Sequence, residues 1–334
     1  MGVKHVLDVA LRGANLELIL HVSTAYVDGK KAGIVLEKPL HQYRSYDGQL
    51  DLDISEEIAF AEAKLQELVC SNASEDTIKR SMKKIGTQRA QKFGWVSTYV
   101  FTKAMGEMLV HEHRSRLPVV VIRPTAIAST LREPFPRWIE GIKTIDTWVA
   151  NYGKGHLKVL QGDVTTIIDI VPADIVVNAM LCIVSCHRQG PLDLIYHIGS
   201  STRNPLKIGE LVHAMFRYFL EKPFISAAGE GIKVKQPIVP ASMSSFYEHM
   251  DDMAGRGLST TDERDMTDTI VSRESTISQF DDSNMQRLIA MTSERDRELI
   301  PCDTKFINWE KYLMETHVPS VMECESREAT RARL

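Results

Sequence analysis

The sequence predicts an α/β chain: a parallel sheet covered by helices, followed after about residue 205 by a smaller, mainly helical part. Three observations carry this. Helix and strand patterns alternate from residue 1 to about 200. The strands read as continuous apolar runs, as in "LPVVVIRP", the pattern of strands buried on both faces. Beyond residue 205 the recognisable patterns are helical and the alternation ends.

In order, "VKHVLDVAL" spaces its apolar residues for a helix, which Gly13 and Asn15 end. "LELILHVSTAYV" reads as a buried strand centred on residues 17 to 23, and "DGKKAG" as a turn. Residues 30 to 53 form an irregular excursion containing Pro39, and residues 54 to 92 are helical. A further helix covers 97 to 116. "LPVVVIRP" is a β-branched strand stopped by proline. "STLREPFPRWIEG" is a loop, "TTIIDIVPAD" a short strand leading into a helix over 174 to 187, and "LDLIYHIG" another strand. "IGELVHAMFRYFLEK" is a helix stopped by Pro223, and residues 226 to 284 are polar and irregular. Helical spacing returns at "SNMQRLIAMTSERDREL" and "NWEKYLMETH", and the tail "ESREATRARL" is expected to fray.

Composition excludes several classes. With 43% hydrophobic and 25% charged residues, the 334-residue chain is not of a disordered type. A net charge of -4 gives no reason to expect nucleic acid as a partner. No apolar run reaches the ~18 residues of a membrane-spanning helix, and the N-terminal stretch lacks the features of a signal peptide. Five cysteines at irregular spacing suggest a reducing compartment. Cys182, Cys186 and His187 lie in an apolar helical stretch with no second ligand pair, so they read as helix residues and no metal is expected.

The chemistry begins at "STYVFTKAMGE", where Tyr99 and Lys103 fall at i and i+4 on one helix face. A free tyrosine titrates near ~10, and a neighbouring ammonium favours the phenolate, which makes such a pair an acid–base device for carbonyl reduction. The same spacing occurs at Tyr26–Lys30, across a turn, and at Tyr218–Lys222, at a helix end before Pro223. Only Tyr99–Lys103 sits in a helix leading into a strong buried strand. Ser23 and Thr24 end the strand "LELILHVST", and ligands of open parallel sheets bind at the carboxyl ends of strands. A hydroxyl there could hold a carbonyl oxygen and stabilise a developing alkoxide. The structural alternative is a surface ion-pair helix and a strand-end hydrogen bond.

"HVSTAYV", "YVFTKAMGE", "VIRPTAIASTLREPFPRWIEG" and "DIVPADIVVNA" resemble the plant alcohol-forming fatty acyl-CoA reductases, extended members of the short-chain dehydrogenase/reductase superfamily. "FDDSNMQRL" and "INWEKYLMETHVPSV" resemble that family's C-terminal domain. The resemblance implies a partial NAD(P)-binding Rossmann-like domain over 1–205 and a reductase C-terminal domain over 206–334, with a variable stretch at 226–284. It implies reduction of a long-chain acyl-CoA to a primary alcohol with NADPH, with Tyr99 the acid, Lys103 on the nicotinamide ribose and Thr24 on the substrate carbonyl. Arg123, Pro124 and Thr125 would lie along the nicotinamide, and Ser23, Pro134, Phe135 and Trp138 along the substrate. By resemblance the expected location is intracellular, at the endoplasmic reticulum surface or in a plastid. Peripheral membrane association is expected from the lipid substrate and product.

Such a fold opens with a glycine-rich turn that brings backbone amides to the cofactor pyrophosphate. Neither Gly-x-x-Gly-x-x-Gly nor Gly-x-Gly-x-x-Gly occurs in these residues, and Gly153 and Gly155 lack the third glycine. The sequence therefore reads as starting inside the fold, with the first strands of the sheet missing. Two expectations follow: weakened cofactor binding, and the Thr24 strand at or near a sheet edge. The alternative is a non-catalytic chain that associates with full-length relatives.

Overall fold

A computed structural model describes residues 2–28, 33–160, 163–187, 195–226, 229–240 and 278–331. Lys30 and most of the variable stretch lie outside these residues. The chain divides into two compact units that interleave along the sequence. Unit 1 comprises Met1–Thr125, Met180–Ile198 and Phe280–Thr292; unit 2 comprises Ala126–Ala179, Gly199–Gln279 and Ser293–Leu334.

Unit 1 is built on a parallel sheet of β1 (Ile19–Val22), β3 (Val119–Pro124) and β7 (Ile195–Ile198), in the order β1-β3-β7. A short strand, β2 (Gly33–Val35), follows β1. Ile19 pairs with Val119 and Val121 with Ile195. The β1 strand therefore lies at an edge of the sheet, as expected. It is shorter than the apolar run predicts, because Ala25–Asp28 turn into a 3₁₀ helix directly after Thr24. Helices α1 (Gly2–Ala10) and α4 (Thr98–Glu112) cover one face, where Leu7, Ala10 and Val110 pack with Val119, Val121 and Ile195. A hairpin of α2 (Ile54–Cys70) and α3 (Glu75–Lys92) completes this layer. Asp53 caps α2 by accepting from the N–H groups of Ser55 and Glu56, and Ser74 caps α3 through Thr77 N–H. Trp95, Phe93 and Phe101 form the aromatic centre that joins this hairpin to α4.

The outer edge of β7 is closed by side chains. Glu37 accepts from His197 N–H at 2.7 Å and from Asn284 N–H at 2.7 Å, while Asn284 Nδ2 donates to Ile195 O at 2.7 Å. Burial outweighs those two N–H bonds and pushes the Glu37 carboxyl up to about 8. Closing an edge in this way removes a template for strand addition.

Unit 2 contains a parallel pair, β4 (Ala126–Ala128) with β6 (Ile170–Pro172), and an antiparallel pair, β5 (Ile167–Ile168) with β8 (Leu206–Lys207). Its core is helical: α5 (Ile145–Gly153), α7 (Ile208–Glu221), α10 (Trp309–Tyr312), a π-helix over Leu313–His317 and α11 (Val318–Arg331). In chain order, α6 (Ala173–His187) and β9 (Ser278–Phe280) span the boundary between the units, α8 (Ser283–Met291) belongs to unit 1 and α9 (Glu294–Leu299) to unit 2. The tail expected to fray is helical to Arg331, as a continuation of α11. Cys182 and Cys186 are buried on α6.

Gly153 closes α5 against α7. A Cβ there would lie 2.5 Å from Phe219 Cε1 and Cζ, and Phe219 is itself buried against Tyr152. Gly153→Ala is expected to destabilise the chain by roughly 1–3 kcal/mol through overpacking, despite the better helix propensity of alanine. A thermal melt unchanged from the parent would contradict this packing.

The same core buries four polar side chains. Ser129 Oγ lies 3.1 Å from His317 Nδ1, His317 Nε2 lies 3.3 Å from Asp146 Oδ1, and Tyr312 O–H donates to Ser129 O at 2.6 Å. Burial pushes Asp146 up to about 7 and His317 down to about 4, so both are held neutral. Their linkages oppose each other. The raised Asp146 loses its stabilising contribution as pH rises from about 4 to about 7. The lowered His317 loses its own as pH falls from 6.5 to about 4. Relative to the parent, Asp146→Asn should therefore gain stability as pH rises between 4 and 6.5, and His317→Gln should lose it. Denaturant titrations across that range check the two signs, and slopes of one sign in both variants would contradict the neutral pairing.

Candidate active site

The site residues of unit 1 are placed by β1 and α4. Ser23 N–H continues the ladder by donating to Ile122 O at 2.8 Å. Thr24 follows, buried, with its Oγ1 3.5 Å from Pro124 O and accepting from Tyr26 N–H at 3.4 Å. Ser23 is also buried, and its hydroxyl has no partner among the described residues. Ser97 caps α4 through Val100 N–H.

On α4, Tyr99, Lys103 and Glu107 recur every fourth residue and so form one stripe. Lys103 Nζ donates to Val22 O at 3.0 Å, which ties the stripe to the carboxyl end of β1 two residues before Thr24. An ammonium has three donors, so this bond leaves others for further partners. Tyr99 is 58% exposed, and its hydroxyl has no hydrogen-bond partner among the described residues. The structure thus joins Lys103 to the Thr24 strand. Tyr99 and Thr24 do not hydrogen-bond each other. Tyr99 points outward, and Thr24 is engaged with the backbone.

Arg123 requires a correction. A cofactor contact is expected of it from the sequence, but its side chain is 0% exposed. Its Nε donates to Glu107 Oε1 at 2.9 Å and its Nη2 to Glu107 Oε2 at 2.6 Å. Its Nη1 lies 3.5 Å from His197 Nε2. His197 Nδ1 is 2.8 Å from Asp281 O, and a carbonyl only accepts, so Nδ1 carries the proton and Nε2 is free to accept. Burial first, and then the Arg123 charge, push His197 down to about 4. This network fixes the roll of α4 on β3. Glu107 is the residue that sequence reasoning missed. The signals were an acid at i+4 from Lys103 and a lone arginine in an apolar strand. Pro124 and Thr125 are buried as well; Pro124 offers its carbonyl to Thr24, and Thr125 Oγ1 lies 3.4 Å from Ile198 O.

The other expected substrate residues belong to unit 2. Asp174 accepts from the N–H groups of Leu131, Arg132 and Glu133 at 2.8, 2.7 and 3.2 Å, and Thr130 Oγ1 donates to Phe135 O and accepts from Trp138 N–H. These bonds organise a loop with a cis Glu133–Pro134 bond and leave Phe135 57% and Trp138 39% exposed. Pro134 is exposed beside them.

A parallel sheet covered by helices, with a Tyr–Lys stripe on one of them, is of the Rossmann type. Solved structures agree on the fold. The terminal R domain of the myxalamid PKS-NRPS pathway matches 100% of this chain and 63% of its own, with a TM-score of 0.54 at 14% identity. The reductase domain of the aureusimine biosynthetic cluster matches 98% of this chain and 64% of its own, with a TM-score of 0.52 at 13% identity. A family model described as "Male sterility protein", of NAD-binding type, matches residues 1–180. The alcohol-forming fatty acyl-CoA reductase of Simmondsia chinensis is 37% identical over 96% of this chain and 71% of its own length. Fatty acyl-CoA reductase 1 of Arabidopsis thaliana is 36% identical over 96% of this chain and 70% of its own. The chain belongs to the alcohol-forming fatty acyl-CoA reductases.

Proposed function

We propose that this chain carries the acid–base side of an NADPH-dependent reduction of long-chain acyl-CoA to the primary alcohol. The observation that carries it is the Tyr99–Lys103 stripe tied to the end of β1, with the Tyr99 hydroxyl unengaged. NADPH, when bound, supplies the hydride for each of two reductions, thioester to aldehyde and aldehyde to alcohol. Tyr99 O–H donates a proton to the substrate oxygen as negative charge develops there, and Lys103 holds the phenol and the ribose. Thr24, once its weak bond to Pro124 O gives way, hydrogen-bonds the same oxygen. The lipid substrate and product support peripheral association with a membrane surface, and the reading extends to the endoplasmic reticulum surface or a plastid as the compartment.

The residues fit the nicotinamide and ribose side of NADPH. The proposal covers that side alone, since no glycine-rich loop for the pyrophosphate occurs in these residues. The assay therefore uses millimolar NADPH and palmitoyl-CoA, with product identified by mass. Two NADPH oxidised per CoA released, with hexadecanol formed, is the expected result; no oxidation overturns it. A second reading is a non-catalytic partner of a full-length relative. It predicts no NADPH binding in titration but a stable complex with such a relative.

A further inference from the structure

We propose that a groove in unit 1, bounded by α1, α2, α3 and α4, seats the acyl chain of the thioester, an inference that rests on the acyl-CoA reading above. The groove has a volume of about 500 Å³, within the range of small-ligand clefts. Its walls are largely apolar, with Ile58, Phe60 and Ala61 from α2, Met82 and Ile85 from α3, and Met105 from α4. Unbranched methionines suit an irregular, flexible chain. The one ion pair on the wall compensates itself. Arg89 Nε donates to Glu57 Oε2 at 2.8 Å, its Nη2 meets the other carboxylate oxygen, and the guanidinium lies 4.9 Å from the Phe60 ring centre. No uncompensated charge therefore faces the occupant.

Two further observations select an anionic head with a long apolar tail. First, α3 carries six basic against two acidic residues, in a chain of net charge -4. Exposed Lys79 and Lys83, which do not line the groove, stand one turn apart on the same helix, Lys83 next to Met82 in sequence, without ion-pair partners among the described residues. They suit the phosphates of a CoA thioester. Secondly, the groove reaches the first turn of α4. Thr98 and Thr102 line it, and Tyr99 lies between them in sequence on the neighbouring stripe. Gly86 lets α3 come against that turn, since a Cβ there would lie 3.0 Å from Thr98 Cγ2 and Oγ1. One helix thus carries the proposed acid and the wall of the chain site.

Each buried methylene should tighten binding roughly fourfold, so palmitoyl-CoA should bind the full chain at least tenfold tighter than butyryl-CoA in calorimetry. Ala61→Trp fills the groove and should abolish that difference. Lys79→Glu with Lys83→Glu should weaken both ligands several-fold at low salt and flatten the salt dependence. A palmitoyl-CoA analogue with a diazirine near its methyl end should label α2 or α4 peptides of the wild-type chain, a result that does not depend on how Ala61→Trp folds. Retained chain-length preference in a folded Ala61→Trp, or labelling confined to residues 131–140, overturns the inference. Chain-length-dependent binding without alcohol formation would leave this site standing and overturn the proposed reaction instead.

Discussion

Tyr99→Phe is expected to lower alcohol formation by roughly 10²–10⁴, the usual contribution of a positioned acid–base group. The expectation is specific because the hydroxyl is the only thing lost. The ring is 58% exposed and its hydroxyl has no partner among the described residues, so removing the oxygen breaks no protein hydrogen bond. Lys103 keeps its own anchor at Val22 O, so its position does not depend on the phenol. Stability should stay within about 0.5 kcal/mol of the parent, and NADPH binding should persist. Lys103→Met should instead lose turnover and cofactor affinity together, since the same ammonium is assigned to both. Measured by alcohol production under saturating NADPH and palmitoyl-CoA, undiminished turnover in Tyr99→Phe would refute the assignment.

What was legible in the sequence was local. The β-branched run of β3 and the alternation of helix with strand predict the parallel sheet of unit 1, and the i, i+4 spacing finds the Tyr99–Lys103 stripe. Chain reversals were less legible. "LELILHVSTAYV" is rich in apolar residues to its end, yet the strand stops at Val22, because Thr24 uses its hydroxyl on Pro124 O and Tyr26 N–H and the chain then curls into a 3₁₀ turn. The α5 helix was hidden by its position between a proline-rich loop and Gly155. Arg123 was misassigned for a general reason. A charge in an apolar strand invites a functional reading, and its partner Glu107 lies on another element, 16 residues away. Only the packing of α4 on β3 shows that the charge is spent inside the protein. Tyr218–Lys222, the competing pair, illustrates the opposite case: Tyr218 is buried with Lys222 Nζ 5.6 Å from its ring centre, a packing contact at a helix end.

Glu107→Gln is expected to destabilise the chain by about 3–5 kcal/mol, the cost of breaking a buried ion pair by removing one partner. An exposed pair would contribute little. This one differs because the Arg123 guanidinium is 0% exposed. Glutamine has nearly the same shape as glutamate, so the loss is electrostatic and leaves a guanidinium in the core with an amide and the neutral His197 beside it. His197 cannot compensate, because burial and Arg123 itself keep it uncharged. Removing both charges should cost less than removing one. In a double-mutant cycle, Glu107→Leu with Arg123→Met should recover most of the stability lost in Glu107→Leu alone. Stability and site geometry are separable here, since Glu107 also sets the roll of α4. If the double variant refolds and binds palmitoyl-CoA but turns over slowly, the ion pair serves to aim Tyr99 and Lys103 at the end of β1. Denaturant unfolding gives the first quantity and alcohol production the second. A Glu107→Gln chain as stable as the parent would show that Arg123 finds another partner and that this network does not hold α4 in place.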